Sequence, residues 1–344
     1  MDNIIRNDNL FKVIKQFPDI KKSPENIQAY FDKISDIILN ETALLIKSKW
    51  FRIAEIEFYY NDSKKHYDPF THNDSIQYNQ NYWYFHKKGG VYRGGTWKGV
   101  DITFGLHSPV KFSGGILIRS IQEISNNQPK DYIHGPSKVV DKILEIFKKN
   151  SVKELVEEEF NNNIDITKNQ KLTLCSTSQE PIFDSLTQNI SNSRKRKLTK
   201  NEETNSQAKK KKTSKSDIVN NNNNISQVKL PKETIYKIPR VGLAPHPENG
   251  KDQLQKEFYY LMRNYRYIIY PNLVKKGKVQ LIIGLYLNHI KSNEIQNIVE
   301  SKTAIIEKYL MDFEQGKNMK LEQLNIKKVD DLCRLFGLIS SQLD

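Results

Sequence analysis

The chain has 344 residues with a net charge of +14, 37% hydrophobic and 10% aromatic residues, and a mean hydropathy of −0.67. That allows one large domain with appendages, or two domains, plus a long polar stretch. Its two cysteines, Cys175 and Cys333, exclude a disulfide framework and a four-cysteine zinc site and fit a reducing compartment. No N-terminal signal-like run or bilayer-length apolar segment is present, so a soluble intracellular protein without a membrane partner is expected.

Residues 20–48 are expected to be helical, because Phe31, Ile34, Ile37 and Ile38 share one helix face and the apolar run 43–46 follows. A strand is expected at 51–60, then a polar loop over 61–80 containing the turn signal Asp68-Pro69. From Tyr82 to Phe104, aromatic residues alternate with the glycine pairs 89–90 and 94–95, which implies successive strands and tight turns. Residues 114–121 look like a buried strand interrupted by Arg119. Gly135-Pro136-Ser137-Lys138 opens an apolar helix through Phe147. Residues 160–232 change character: rich in Asn, Ser, Thr and Lys, they hold too little apolar surface to offset ordering and are expected to be a disordered insertion. Within them, residues 194–232 carry 12 Lys/Arg against 3 acids, a net +9 that leaves only about +5 for the rest. Net charge is therefore weak grounds for placing nucleic acid on the folded part. Two basic clusters there, Arg194 to Lys197 and Lys209 to Lys212, have the spacing of a bipartite nuclear-import signal that an import receptor would read; a merely solvated basic linker is the other reading. Folded sequence resumes at 235–243 and 258–270, and amphipathic helical patterns occupy 300–313 and 329–338 of a C-terminal helical extension.

Several of these segments carry groups that could do chemistry. On the 51–60 strand the even positions Ala54, Ile56, Phe58 and Tyr60 are apolar, whereas the odd face bears Glu55, Glu57 and Tyr59. Two carboxylates roughly 7 Å apart along a strand can push one pKa upward, which suits a general base; a solvated strand face has the same pattern. His66, Asp68 and His72 are iron- or zinc-type ligands within seven residues, without a helix to set their spacing. Segment 82–98 interleaves Trp83, Tyr84, Phe85, Tyr92 and Trp97 with His86, Lys87, Lys88, Arg93 and Lys98. That mixture suits stacking on bases and neutralising phosphates, and equally suits a packed hairpin. Arg119, within a core-like strand, needs either a phosphate or a carboxylate partner. The helix start with Lys138 is a possible phosphate site.

Taken in order, these segments resemble the alkyladenine (3-methyladenine) DNA glycosylase family. Its strand R-I-x-E-x-E-A-Y is matched by Arg52-Ile53-Ala54-Glu55-Ile56-Glu57-Phe58-Tyr59, and its acidic loop ends at His72. Leu117-Ile118-Arg119-Ser120 stands for the arginine strand, Gly135 to Lys138 for the helix start, and Pro239 to Leu243 with Tyr265-Arg266-Tyr267 for the closing segments. The resemblance covers about residues 30–150 and 235–270. It implies one α+β domain with a curved, mainly antiparallel sheet flanked by helices, formed by 1–155 and 233–278. These parts would be separated by the insertion 160–232 and followed by a helical tail, 279–344.

By resemblance the chain is expected to be a monomeric, nuclear, monofunctional DNA glycosylase of base excision repair, needing no metal or cofactor and acting on double-stranded DNA. It would hydrolyse the N-glycosidic bond of an alkylated or deaminated purine flipped from the duplex. Glu57 takes the position that deprotonates water. Tyr59, His72 and His86 take the base pocket, His86 standing where the family has a second stacking tyrosine. Arg119 and Lys138 lie toward the DNA with Lys87, Lys88 and Arg93, and Glu55 supports Glu57. The family's tyrosine wedge has no counterpart, Tyr92 and Trp97 being the substitutes at hand. Its T-P-R-N loop is missing, and Asp101 replaces an asparagine of the pocket, which would alter base discrimination. The alternative is a nucleic-acid-binding module on the same fold that has lost catalysis.

Overall fold

In the computed structural model, the described residues are 6–17, 25–62, 64–108, 111–125, 128–177, 228, 230–325 and 328–343. The chain is an α+β fold built on a curled, antiparallel half-barrel sheet. Helices α1 (Asp8–Lys15) and α2 (Glu25–Asn40) lead into β1 (Thr42–Ile46) and β2 (Lys49–Asp62). Then come β3 (His66–Tyr67), β4 (Gln80–Phe85), β5 (Lys87–Lys88), β6 (Val91–Tyr92), β7 (Val100–Phe104), β8 (Ser113–Ser125) and β9 (Gln128–His134). Helix α3 (Pro136–Phe147) and the single turn α4 (Val152–Glu154) precede β10 (Leu172–Ser176). After the undescribed stretch come β11 (Tyr236–Ile238), α5 (Lys251–Met262), β12 (Arg266–Ile268), α6 (Lys278–Leu287), α7 (Ser292–Val299), α8 (Thr303–Gly316) and α9 (Val329–Leu343).

The long strand β2 organises the sheet. β8 runs along one of its edges from Trp50 to Asn61, so β1, β12 and β3 share the other edge in succession. Beyond β8 lie β7 and β4, and β10 closes the far side on β1. The even face of β2 packs under α2: Phe31 stacks on Phe58 at 4.2 Å, and Ala54, Ile56, Phe58 and Tyr60 are fully buried. Removing such apolar surface from water is the main stabilising term, about 25 cal/mol per Å². The odd face carries the polar site.

Two expectations need correction, and one open alternative is decided. Residues 42–46 form a strand instead of continuing a helix. All five are buried and paired with β10, and Ala43 to Ile46 are paired with β2 as well; a short apolar run does not distinguish a buried strand from a buried helix by periodicity. The Glu55–Glu57 face is not solvated, since both carboxylates are fully buried. The stretch expected to be disordered is ordered at its ends. Phe160, Ile166, Leu172 and Leu174 are buried, β10 adds five residues to the sheet, and Val228 and Leu230 pack near Ala43. A few apolar residues at alternating positions offset ordering costs there despite the polar average. The basic clusters at 194–197 and 209–212 lie outside the described residues.

The C-terminal helices are packed on the sheet domain. Gly284 of α6 lies against Ile238 and Pro239, where a Cβ would come within 3.0 Å of both. α9 shares an apolar cluster with α5 through Phe258, Leu261, Leu335 and Leu338. Helices α8 and α9 approach closely because Gly316 and Gly337 face the opposing backbone.

Candidate active site

One row of the sheet assembles most of the site. Across four antiparallel pairings, Arg266 lies opposite Glu57, Glu57 opposite Leu117, Leu117 opposite Asp101, and Asp101 opposite Tyr84. Directly opposed residues share a face, so these side chains lie on the odd-face side. The pairing of β2 with β8 shifts register on both sides of Glu55, leaving Ala54 and Arg119 without an opposed partner. Such an irregularity breaks strict alternation. Arg119 and its neighbour Ser120 thereby reach the same carboxylate.

Glu57 is fully buried and held by three donors. The Tyr59 hydroxyl donates to Oε2 at 2.9 Å, Arg119 Nη1 to Oε2 at 3.2 Å, and the backbone N–H of Val241 to Oε1 at 2.7 Å. A carboxylate has about four acceptor positions, so one remains for a reacting molecule. Burial and the charge of Glu57 raise the Tyr59 phenol well above its ordinary value, which keeps it a donor. Glu55 is bound by Arg119 Nε at 2.8 Å, Arg266 Nε at 2.7 Å and Ser120 Oγ at 2.6 Å, with His134 at 3.5 Å. Burial alone would raise its pKa, but Arg266, Arg119 and these donors outweigh it and hold Glu55 at about 2. Glu55 is thus not a carboxyl whose pKa its neighbour pushes upward: a guanidinium stands between the two carboxylates and bonds both.

Beside this network is a cavity of about 110 Å³. Tyr59, Phe70, Leu117 and Leu243 form its apolar walls, and His72, Gln77, His86 and Asp101 its polar end. The base-pocket residues expected from sequence, Tyr59, His72 and His86, thus meet around one cavity, and Asp101 joins them. The His72 and His86 rings meet edge to face at 4.5 Å, and Tyr84 Oη lies 3.3 Å from His72 Nδ1. Desolvation, with the charges of His86 and Arg93 nearby, lowers the His72 imidazole below its ordinary value, although the residue is exposed. His86 Nε2–H donates to Asp101 Oδ1 at 2.8 Å, and Gln77 Nε2–H to Asp101 Oδ2 at 3.2 Å.

No protein-family model matches the chain. In an alignment of 137 positions that covers 37% of the chain, it is 36% identical to the Acanthamoeba polyphaga mimivirus protein named Uncharacterized protein L759, and it spans 62% of that protein.

The remaining expected residues divide between the cavity's rim and its surroundings. Lys87 and Lys88 pair with Tyr92 and Val91 in a two-residue hairpin whose Gly89 and Gly90 both take positive φ, 57° and 79°, as a type I′ turn requires. Tyr92 is half-buried beneath the Lys87 ammonium, whereas Trp97 is 70% exposed with Arg93 over its ring. Of the two wedge candidates, Trp97 is the one that protrudes; Val91, at the tip, is 71% exposed. The backbone N–H of Arg93 donates to His86 O, which ties this hairpin to the cavity. Lys138 is exposed at the start of α3, away from the cavity lining, and pairs with Asp141 at 3.6 Å. Arg119 spends its guanidinium on Glu55 and Glu57, the carboxylate-partnered alternative of the two left open by the sequence.

His66, Asp68 and His72 do not converge as a metal set. His66 bonds Tyr60 O and Tyr265 Oη, Asp68 forks onto Arg240, and among the described residues no group of three such side chains is placed to hold a metal ion. Burial lowers His66 to about 4.

Sequence reasoning missed the role of Arg240 and Asp68. Both are fully buried, and Arg240 also donates to Phe58 O and Tyr260 O while lying 4.5 Å over the Tyr59 ring. This pair joins the loop bearing Phe70 and His72 to the segment supplying Val241 N–H and Leu243. The two residues are 172 positions apart, so no local pattern could link them.

Proposed function

We propose that the chain is a monofunctional DNA glycosylase of the alkyladenine type, hydrolysing the N-glycosidic bond of a damaged purine flipped out of duplex DNA in base excision repair. The observation that carries the reading is Glu57: a buried carboxylate, oriented by three donors, one of which, Tyr59, lines a small cavity with His72 and His86. A flat base fits between a tyrosine and two imidazoles, and a carboxylate beside it can take a proton from water as that water's oxygen bonds to C1′. The C1′–N bond breaks with its electron pair passing to the base. The negative charge of Glu57 also favours the cationic character that develops on the sugar. Arg119 and Val241 N–H hold the carboxylate in place, and Lys87, Lys88, Arg93 and Lys138 are cations suited to the phosphate backbone. Nuclear action, and import through the clusters at 194–197 and 209–212, belong to the same proposal.

The test is base release from duplexes carrying ethenoadenine, hypoxanthine, 3-methyladenine or 7-methylguanine. Glu57→Gln is expected to bind the duplexes normally and to release base roughly 10²- to 10⁴-fold more slowly. Equal rates in the two proteins would refute the mechanism.

A second reading, a nucleic-acid-binding module without catalysis, is favoured by the hairpin, whose exposed tip residue is Val91 instead of an aromatic wedge. It expects removal of residues 178–227 to abolish most binding. The glycosylase reading expects a slower but intact reaction after the same deletion, which spares β10 and the buried Val228 and Leu230.

A further inference from the structure

Resting on the glycosylase reading, we propose that Asp101 makes the cavity a receptor for guanine-type bases, so that an alkylated guanine is preferred over alkylated or etheno adenines. The Asp101 carboxylate is buried at the polar end of the cavity. It offers about four acceptor positions. His86 Nε2–H occupies one on Oδ1 and Gln77 Nε2–H one on Oδ2, which leaves one on each oxygen. Two acceptors side by side match two parallel donors, the geometry that makes carboxylate–guanidinium forks strong. Guanine presents such an edge, with its ring N1–H beside its 2-amino group. Adenine instead sets a ring lone pair beside its amine, and ethenoadenine has no donor there, so either places a lone pair against an anionic oxygen.

The arrangement is built into the backbone. A Cβ at position 115 would lie 2.5 Å from Asp101 Oδ2 and 2.8 Å from Gln77 Nε2, and one at position 99 would lie 2.4 Å from the His86 ring. Glycine at both places leaves room for this trio. Gln77 Oε1 accepts the Asp74 N–H at 3.2 Å, which turns the amide N–H toward the carboxylate. Undamaged guanine would meet the same acceptors, so discrimination against it falls to bond strength. Alkylation at N7 makes the base cationic. When water adds to C1′ and gives its proton to Glu57, the electron pair of the broken C1′–N9 bond neutralises that cation.

The experiment is single-turnover base release from duplexes carrying 7-methylguanine or ethenoadenine, by the wild type and by Asp101→Asn, with Glu57→Gln as the background for spontaneous loss. An asparagine presents one acceptor oxygen and sets amide donors against the guanine donors. The 7-methylguanine to ethenoadenine rate ratio is expected to fall on the order of tenfold to a hundredfold in Asp101→Asn. An unchanged or higher ratio overturns the assignment. If the wild type releases neither base, the glycosylase reading fails, and Asp101 is tested alone by titrating free 7-methylguanine and adenine into the full chain. Selective 7-methylguanine binding that Asp101→Asn removes sustains the role of Asp101, and equal or absent binding overturns it.

Discussion

Two clusters of mixed charge, one in the sheet and one between α8 and α9, invite comparison. In the sheet, Glu55 and Glu57 meet Arg119 and Arg266, and none of the four side chains is more than 7% exposed. Between the helices, Lys308 bonds Asp312 and Asp330 while Arg334 bonds Asp312 and Asp331; Lys308 and Asp330 are each 48% exposed. Their stoichiometry is similar, but their energetics differ. Taking ions out of water costs several kcal/mol each, and matched partners only offset that, so an apolar replacement of the buried set would be about as stable. In the helix cluster solvent screens the half-exposed Lys308–Asp330 pair, which therefore adds little, while Asp312 is buried and bonded by both cations. Stability alone therefore does not explain the sheet cluster, whereas a role in positioning Glu57 does.

The contrast can be broken at its strongest point by removing one buried partner. Arg266→Met leaves Glu55 with Arg119 as its remaining guanidinium and is expected to cost about 3–5 kcal/mol in urea unfolding. A loss under about 1 kcal/mol would mean that the cluster relaxes as freely as a surface one. Acid titration comes next. Glu55 is held at about 2 against an ordinary 4.5, so its contribution is complete above about pH 4.5 and is lost as pH falls toward 2, on the order of 3 kcal/mol. His66, lowered to about 4 from 6.5, acts in an earlier window: the unfolded chain takes up its proton first, so stability declines as pH falls from about 6.5 to 4. Unfolding free energies measured from pH 7 to 2 should show both limbs. Glu55→Gln should flatten only the lower one, and an unaltered lower limb would remove Glu55 from the account. The smallest effect is expected at the half-exposed Lys308–Asp330 pair, where Asp330→Asn should leave the urea unfolding midpoint almost unchanged. A larger loss would show that the half-exposed cluster also pins the packing of α8 on α9.

The two regions also differ in how far they could be read before any fold was known. In β2 the alternation of Ala54, Ile56, Phe58 and Tyr60 against Glu55, Glu57 and Tyr59 assigned two faces correctly, because side-chain direction in a strand is a local property. Burial of the acidic face was not legible, since the strand pattern is the same whether water or Arg119 and Arg266 cover it. Helix α3 was placed to the residue by Gly135-Pro136 and its apolar spacing. Helix α5, whose polar and apolar residues form a weaker stripe, went unforeseen. The 160–232 stretch was judged on average composition, which hid the few apolar positions of β10 that complete the sheet.

The sequence by itself determined the long central strand with its two chemically distinct faces, the loop-and-hairpin order of the aromatic residues, and the helical character of the C-terminal region, because these follow from periodicity and turn residues; the α+β class was what the family resemblance implied. Only the tertiary structure decided that Glu55 is a neutralised anchor while Glu57 bonds the Tyr59 that lines a cavity, that His72, His86 and Asp101 share that cavity, and that Arg240 closes onto Asp68 from 172 residues away. The reason is physical. Faces and turns are set by neighbours a few residues apart along the chain, whereas the state of a buried charge is set by whichever groups the folded sheet brings within hydrogen-bond reach.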